Sequence, residues 1–231
     1  MSDFLPAQLR QPFQAVLFDF DGTIVDSEAQ HFAAFKAAMR EFGYDYDVLE
    51  QHNIRLQGNF KKIFQEVARV LKLDPEIFND IYQRKVELTL QLSSNDFDLV
   101  DGVVSYIEWL VDQHIPLGIV TNAEPQYIDH VLQLHQLTDY FSEVITSQDA
   151  DLKPAPAGYV LGAERLAISP DHILVFENTD TGITAAKAAG MKVVAIRDTD
   201  VQGLSTYEQA DHVIDSFADP SVMDVQYHHY D

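Results

Sequence analysis

Short apolar runs alternate with helical patterns along most of the chain. Residues 15–19 begin with four apolar residues in a row, which is typical of a strand buried on both faces. Similar runs predict strands at 116–120, 144–145, 173–176, 193–196 and 212–214. Helical patterns lie between them, at 29–42, 103–112, 125–136, 157–166 and 183–189. This alternation predicts the fold class α/β, with a doubly wound parallel sheet.

The stretch from residue 44 to residue 95 has no run typical of a buried strand. Its apolar positions instead predict helices at about 46–55, 60–72 and 75–92, the last with Asp74 as N-cap and Pro75 at the first helical position. We therefore predict two domains. Residues 1–28 and 96–231 form an α/β catalytic core, and residues 29–95 form a helical cap domain inserted after the first strand.

Polar side chains stand at the carboxyl ends of three predicted strands, namely Asp19, Thr121 and Glu177. In an open parallel sheet, ligands bind at these ends, so we expect the three side chains to converge on one edge. Asp21 adds a second carboxylate, and Gly22 allows the chain to turn tightly. Buried carboxylates are costly unless they are compensated, and a divalent cation with oxygen ligands is the usual compensation.

The composition restricts the partners of the protein. The 231 residues include 37 Asp and Glu but only 15 Lys and Arg, for a formal charge of −22. Such a charge opposes binding to nucleic acids and to anionic membrane surfaces. The absence of cysteine excludes disulfides and thiol chemistry and fits a reducing compartment. Because the sequence shows no signal-peptide pattern and no long apolar run, we expect a cytoplasmic protein. Separately, we expect a monomer or a weak dimer.

Four short motifs resemble those of the haloacid dehalogenase superfamily, whose members are mostly phosphotransferases. In chain order they are Asp19-Phe-Asp-Gly-Thr, Thr121-Asn, Lys153-Pro-Ala-Pro and Glu177-Asn-Thr-Asp-Thr-Gly. Their order and spacing fit over nearly the whole chain after residue 14. The helical insert resembles the cap of the β-phosphoglucomutase-like subgroup, which includes sugar-phosphate phosphatases.

The resemblance implies a set of catalytic roles. Asp19 would attack the phosphorus and form an aspartyl-phosphate. Asp21 would protonate the leaving oxygen and later deprotonate the attacking water or hydroxyl. Thr121 would donate its hydroxyl to a phosphoryl oxygen, and Lys153 would offset the charge of the phosphate and of Asp19.

The resemblance also implies a Mg²⁺ cofactor, for which we predict four ligand residues: Asp19, Asp21 through its backbone carbonyl, Glu177 and Asn178. Asn178 departs from the family pattern, because relatives usually carry Asp there. A neutral amide oxygen contributes one negative charge fewer to the cation. We therefore expect weaker Mg²⁺ binding, with Glu177 as the candidate to compensate.

Substrate binding is predicted for four further residues. Asn122 follows Thr121, and His31, Lys61 and Lys85 lie in the predicted cap, where they resemble or replace substrate residues of the subgroup. Each has a simpler alternative, since a histidine or a lysine on a helix face can be merely solvated.

Three functions remain open at this point. The favoured one is a Mg²⁺-dependent phosphatase that hydrolyses a small phosphorylated metabolite, most plausibly a sugar phosphate. The second is a phosphomutase of the β-phosphoglucomutase type, favoured by His31 and Lys85. The third is a catalytically weakened binding or regulatory homologue, for which Asn178 is the support.

Overall fold

The chain divides into two compact units. The computed structural model describes residues 11–44, 60–92, 97–197 and 207–227, together with Pro6 and Leu9. One unit is formed by Met1–Asp26 and Asp98–Asp231, and the other by Ser27–Phe97. The predicted helix at 46–55 lies outside the described residues.

The first unit is built on a parallel six-stranded sheet. The strands of the chain are β1 (Ala15–Phe18), β2 (Val25–Asp26), β3 (Asp98–Leu99), β4 (Leu117–Val120), β5 (Glu143–Ile145), β6 (Ile173–Glu177), β7 (Lys192–Ile196) and β8 (His212–Ile214). The large sheet has the order β5-β4-β1-β6-β7-β8, and every neighbouring pair is parallel. The predicted α/β fold with a parallel sheet is confirmed.

Helices cover both faces of this sheet. The helices of the first unit are α4 (Val103–Asp112), α5 (Pro125–Leu134), α6 (Ala157–Leu166) and α7 (Asp180–Ala188). Leu17 of β1 belongs to a buried cluster that includes Tyr159 of α6 and Ile183 of α7. Its neighbour Phe18 is stacked on Phe176 of β6, with ring centroids 5.4 Å apart. Because successive strand residues face opposite sides, these contacts place packed cores on both faces, as a doubly wound sheet requires.

Three details differ from the sequence-based expectation. Helix α7 begins at Asp180 rather than at 183, because the Thr179 hydroxyl accepts a hydrogen bond from the Gly182 amide and caps a polar first turn. Helix α5 ends at Leu134, two residues earlier than predicted. Strands β2 and β3 form a separate antiparallel pair, and strands of two residues are too short to show a periodicity.

The second unit is helical throughout its described residues. It contains α1 (Glu28–Glu41), α2 (Phe60–Leu71) and α3 (Pro75–Leu92). Its core joins Phe35, Ala38 and Met39 of α1 to Val67 of α2 and Ile81 of α3.

The predicted ends of these helices are seen in the structure. The Asp74 carboxylate accepts a hydrogen bond of 2.9 Å from the Glu76 amide at the start of α3. After α1, Gly43 adopts the left-handed conformation that commonly ends a helix, with φ +79°. None of the helices in the described part of the chain combines the length and apolar character needed to cross a bilayer.

Candidate active site

The polar residues predicted at the strand ends do meet at one edge of the sheet. Asp19 follows β1, Thr121 follows β4 and Glu177 is the last residue of β6. Strands β4 and β6 are the two neighbours of β1, so their carboxyl ends lie side by side. All three side chains are buried. The sheet topology therefore brings together residues that are more than 150 positions apart in the chain.

Lys153 forms hydrogen bonds with both carboxylates of this group. It lies in the loop between β5 and α6, and its Nζ donates to Asp19 Oδ1 at 2.5 Å and to Glu177 Oε1 at 2.6 Å. The ammonium group is buried as well, and it lies 5.0 Å from the centroid of the Tyr159 ring. One buried cation is thus shared between two buried carboxylates.

The sharing leaves an excess of negative charge at Asp19. Burial, together with the nearby Glu177 charge, raises the pKa of the Asp19 carboxyl to about 8 against the opposing effect of Lys153. Burial by itself lowers the pKa of the Lys153 ammonium, but the two carboxylates outweigh it, so this pKa is raised overall. Lys153 therefore stays charged, whereas Asp19 needs additional positive charge to stay ionised near neutral pH.

Glu177 is held by protein donors on both of its oxygens. Oε1 accepts hydrogen bonds from Lys153 Nζ and from the Tyr159 hydroxyl at 3.1 Å. Oε2 accepts from the backbone amides of Asn178 and Thr179, both at 3.0 Å, and from the Thr179 hydroxyl at 3.1 Å. A fully buried carboxylate with this many donors is well suited to anchoring Lys153 and the start of α7.

Gly182 allows this anchor to form. A Cβ atom at this position would lie 1.6 Å from Glu177 Oε1 and 2.4 Å from Oε2. No side chain fits there, so the glycine lets the first turn of α7 approach the carboxylate.

Asn178 lies against the turn that carries Asp21. A Cβ atom at Gly22 would fall 1.9 Å from Asn178 Nδ2, so the amide packs directly on the glycine. The Oδ1 atom of Asn178 is buried and has no hydrogen-bond partner. Such an orphaned oxygen costs free energy unless a ligand satisfies it, and amide oxygens are ligands that hard divalent cations accept.

These residues fit a divalent cation with a reduced ligand charge. The raised pKa of Asp19 and the orphaned Asn178 oxygen are the two observations that support the fit. Within the described ranges, no cluster of three or more Asp, Glu, His or Cys side chains is arranged to hold a metal.

Thr121 and Asn122 form part of the same edge. The Thr121 hydroxyl accepts a hydrogen bond of 3.1 Å from the Ala123 amide, and an accepting hydroxyl keeps its own proton for donation. Asn122 Oδ1 accepts from the Lys153 amide at 2.8 Å, and its Nδ2 donates weakly to the Lys153 carbonyl at 3.4 Å. Asn122, predicted to bind substrate, thus holds the backbone of Lys153.

Asp21 has a hydrogen-bond partner that sequence reasoning missed. The hydroxyl of Tyr127, in the first turn of α5, donates to Asp21 Oδ1 at 2.8 Å. Tyr127 and Tyr159 both touch predicted site residues, yet neither belongs to one of the four motifs. Gly182 is the last residue of the fourth motif, but its close approach to Glu177 was not predicted. Tyr127 and Tyr159 lie in apolar helical patterns, where a tyrosine indicates only a core position.

The predicted substrate residues of the helical unit are placed as follows. Lys85 Nζ lies 2.9 Å from His31 Nδ1, and Lys85 is buried. The adjacent Arg84 forms ion pairs with Glu41 at 2.6 Å and Glu87 at 2.7 Å. Lys61 lies in α2, and its side chain is outside the described part of the structure.

A buried lysine shared by two acids thus lies at the carboxyl edge of a doubly wound parallel sheet. Residues 16–196 match the sequence model of the family described as haloacid dehalogenase-like hydrolase. The chain belongs to this family, as its motifs suggested.

Relatives of the chain include phosphatases of small phosphorylated compounds. It is 32% identical over 189 residues to fructose-1-phosphate phosphatase YqaB of Escherichia coli strain K12, which covers 80% of this chain and 97% of that protein. It is 26% identical over 184 residues to a phosphorylated carbohydrates phosphatase of Thermotoga maritima, covering 78% of this chain and 82% of that protein.

Solved structures share the fold. CbbY from Rhodobacter sphaeroides, in complex with xylulose-(1,5)bisphosphate, superposes with a TM-score of 0.79 over 93% of this chain and 99% of that chain, at 23% identity. A putative β-phosphoglucomutase from Thermotoga maritima superposes with a TM-score of 0.68 over 87% of this chain and 94% of that chain, at 24% identity. At such identities the likeness concerns the fold alone.

Proposed function

We propose that this protein is a Mg²⁺-dependent phosphatase that hydrolyses a small phosphorylated metabolite, specifically a sugar phosphate. The observation that carries the proposal is the buried triad in which Lys153 Nζ bonds both Asp19 and Glu177 at the ends of adjacent strands. Membership of the hydrolase family and the phosphatase relatives support a phosphoric monoester hydrolase. The names of these relatives favour a sugar phosphate as the substrate.

The proposed reaction begins at Asp19. One of its carboxylate oxygens attacks the phosphorus, a new O–P bond forms, and the bond from phosphorus to the sugar oxygen breaks. Asp21 gives its proton to the departing oxygen and then takes a proton from the water that attacks the aspartyl-phosphate. The products are the sugar, inorganic phosphate and a regenerated Asp19 carboxylate.

Lys153 and Thr121 would hold the phosphoryl group. The Lys153 ammonium already faces Asp19, so a phosphoryl oxygen next to Asp19 would come within its reach, and the Thr121 hydroxyl can donate to another. These local donors matter because the formal charge of −22 would otherwise repel an anionic substrate.

For Mg²⁺ we propose the Asp19 carboxylate, the Asp21 backbone carbonyl and Asn178 Oδ1 as protein ligands. When bound, the cation would offset the charges of Asp19 and the phosphate, which supports attack by an anionic nucleophile. Glu177 was predicted as a fourth ligand. Its five protein donors favour a different contribution, in which it anchors Lys153 and the loop that carries Asn178.

Residues of the helical unit complete the proposal. We propose that the helical insert, predicted at residues 29–95 and lying within the compact unit Ser27–Phe97, acts as the cap domain. We further propose that His31, Lys61 and Lys85 bind the substrate. Asn122 would act with them chiefly by placing Lys153. We also propose that the protein is cytoplasmic and that it is a monomer or a weak dimer.

A phosphate-release screen in Mg²⁺ tests the function. The panel should contain several sugar phosphates, fructose 1-phosphate among them, together with glycerol 3-phosphate and phosphoglycolate, and the chain should release phosphate from at least one of the sugar phosphates. Asp19→Asn should abolish the release, because an amide oxygen is a poor nucleophile. Asp139→Asn is the matched control, since it makes the same change at an exposed position outside the site, and it should retain full activity. Equal activity of the two variants would refute the proposed nucleophile.

A phosphomutase of the β-phosphoglucomutase type is the second candidate. The observation that favours it is the buried Lys85 ammonium at 2.9 Å from His31 Nδ1, because this pair was the sequence feature that favoured a mutase. Incubation with β-glucose 1-phosphate and a trace of the corresponding bisphosphate separates the two functions. Isomerisation without free phosphate would replace the phosphatase proposal.

The third candidate, a catalytically weakened homologue, rests on the neutral Asn178. It predicts no phosphate release from any sugar phosphate in the panel, and activity that appears only after Asn178→Asp. Activity of the unchanged chain would exclude it.

A further inference from the structure

The Tyr127 hydroxyl donates a hydrogen bond to Asp21 from a ring that is packed in the core. Helix α5 has Pro125 at its first position, and Tyr127 lies in its first turn with only 3% of its surface exposed. Its ring meets the ring of Phe20 edge-on, with centroids 5.9 Å apart and an interplanar angle of 90°. Phe20, which lies between Asp19 and Asp21 in the sequence, is itself fully buried. The ring is therefore packed against the same turn that its hydroxyl contacts.

Asp21 is less buried than Asp19. Asp19 is buried and bonded to Lys153, whereas Asp21 is only partly buried in the turn after β1. A short aspartate side chain in a turn can rotate about χ1 and χ2. The Tyr127 hydrogen bond of 2.8 Å to Oδ1 restrains both rotations, because the donor is attached to a buried ring that packs on Phe20.

We propose that Tyr127 is a positioning residue for the acid/base function of Asp21, an inference that rests on the proposed phosphatase function. Tyr127 keeps its own proton and donates to Oδ1, so that the proton passed to the substrate is carried on Oδ2. As the Asp19 O–P bond forms and the P–O bond to the sugar breaks, this proton moves from Oδ2 to the departing sugar oxygen. Tyr127 contacts neither the phosphorus nor the leaving group.

This role predicts a dependence on the leaving group. A sugar alkoxide is a poor leaving group and needs the proton from Asp21, whereas p-nitrophenolate leaves without protonation. A purely structural role of Tyr127 would affect both esters equally. The ratio of the two effects therefore separates positioning of the acid from general support of the fold.

The test compares kcat/KM for fructose 1-phosphate and p-nitrophenyl phosphate, because this constant reports the steps up to release of the leaving group. Tyr127→Phe removes one oxygen and keeps the ring that packs on Phe20. We expect kcat/KM for fructose 1-phosphate to fall by about tenfold, because the lost hydrogen bond would stabilise the charge that develops on Asp21 as it gives up its proton. We expect kcat/KM for the nitrophenyl ester to change by less than about twofold.

Tyr106→Phe is the matched control. It removes a hydroxyl that is equally buried, and that hydroxyl contacts Tyr227 at 2.6 Å in the aromatic core. We expect it to leave both constants unchanged.

Equal losses on the two esters, or no loss on either, would overturn the role of Tyr127. So would the same leaving-group dependence in Tyr106→Phe. The nitrophenyl ester also reports whether the variant is folded. Absence of phosphate release from both esters by the unchanged chain would instead refute the proposed function, and the role with it.

Discussion

Substitution of Gly182 by Ala should damage the site through Glu177. The new Cβ atom would lie 1.6 Å from Oε1, 2.0 Å from Cδ and 2.4 Å from Oε2 of the Glu177 carboxylate. Contacts of this kind below 3.0 Å do not occur in real structures, so the carboxylate or the helix has to move by more than 1 Å. The bond from Lys153 to Oε1 is 2.6 Å long, and a displacement of this size would break it or force the ammonium to follow.

The magnitude follows from the hydrogen bonds that are lost. Each bond to a buried charged group contributes about 1.5–3 kcal/mol, and the displacement should break one or two of the five bonds that Glu177 accepts. Alanine in a helix recovers about 1 kcal/mol relative to glycine. We therefore expect the free energy of unfolding to fall by roughly 0.5–5 kcal/mol, depending on whether one or two bonds break, with a large loss of phosphatase activity because Lys153 loses its anchor.

Urea unfolding followed by circular dichroism measures this change. Gly162→Ala is the matched control, because it makes the same substitution in α6. There the new Cβ would meet the tip of the Leu17 side chain at 3.0 Å and Val120 Cγ2 at 3.5 Å, an ordinary contact distance. The free energy of unfolding of that variant should remain within about 1 kcal/mol of that of the unchanged chain, since the higher helix propensity of alanine offsets the tight contact. If Gly182→Ala were as stable and as active as Gly162→Ala, the close packing of α7 on Glu177 would be wrong.

Three further predictions concern neighbouring residues. Asn122→Ala should remove the acceptor of the Lys153 amide, lower the free energy of unfolding by about 1 kcal/mol and speed the hydrogen exchange of that amide. Asn122→Asp is the control because it keeps the acceptor. Equal exchange rates of the Lys153 amide in both variants would contradict the contact. Burial raises the pKa of Asp19 from 3.8 to about 8, so the folded metal-free chain holds a proton that the unfolded chain loses between these pH values. Its free energy of unfolding should therefore fall as the pH rises through this window, by at most roughly 6 kcal/mol. Urea unfolding in EDTA should show a weaker dependence of this free energy on pH for Asp19→Asn, and an identical dependence would refute the assignment. Asn178→Asp should tighten Mg²⁺ binding by about tenfold in calorimetric titrations without substrate, because it adds a negative charge to the ligand set, and an unchanged affinity would exclude residue 178 as a ligand.

Much of the site could be predicted from the sequence because its main residues sit at the ends of strands. The apolar runs before Asp19 and Thr121 and the run that ends in Glu177 indicate buried parallel strands, and the carboxyl ends of neighbouring parallel strands share one edge. This argument needs only local patterns together with a general rule about sheets. The Lys153 motif added a cation through the family resemblance, although its position in a loop carries no geometric information.

The partners of these residues could not be predicted in the same way. The Tyr127 hydroxyl reaches Asp21 across 106 positions of sequence, and both tyrosines of the site lie in helices whose apolar pattern indicates only burial. Likewise, the alternation of polar and apolar residues does not distinguish a glycine that ends a turn from Gly182, whose missing side chain makes room for Glu177.

The sequence by itself thus determined the α/β alternation, the helical insert and the edge of the sheet at which the acidic residues lie. It could do so because burial and strand or helix periodicity are visible in short segments of the chain. Only the tertiary structure decided that Lys153 is shared between Asp19 and Glu177, that Glu177 is held by protein donors, and which hydroxyl holds Asp21. Hydrogen bonds between distant residues depend on strand order and on the exact approach of helices to the sheet, and neither quantity leaves a pattern in a single sequence.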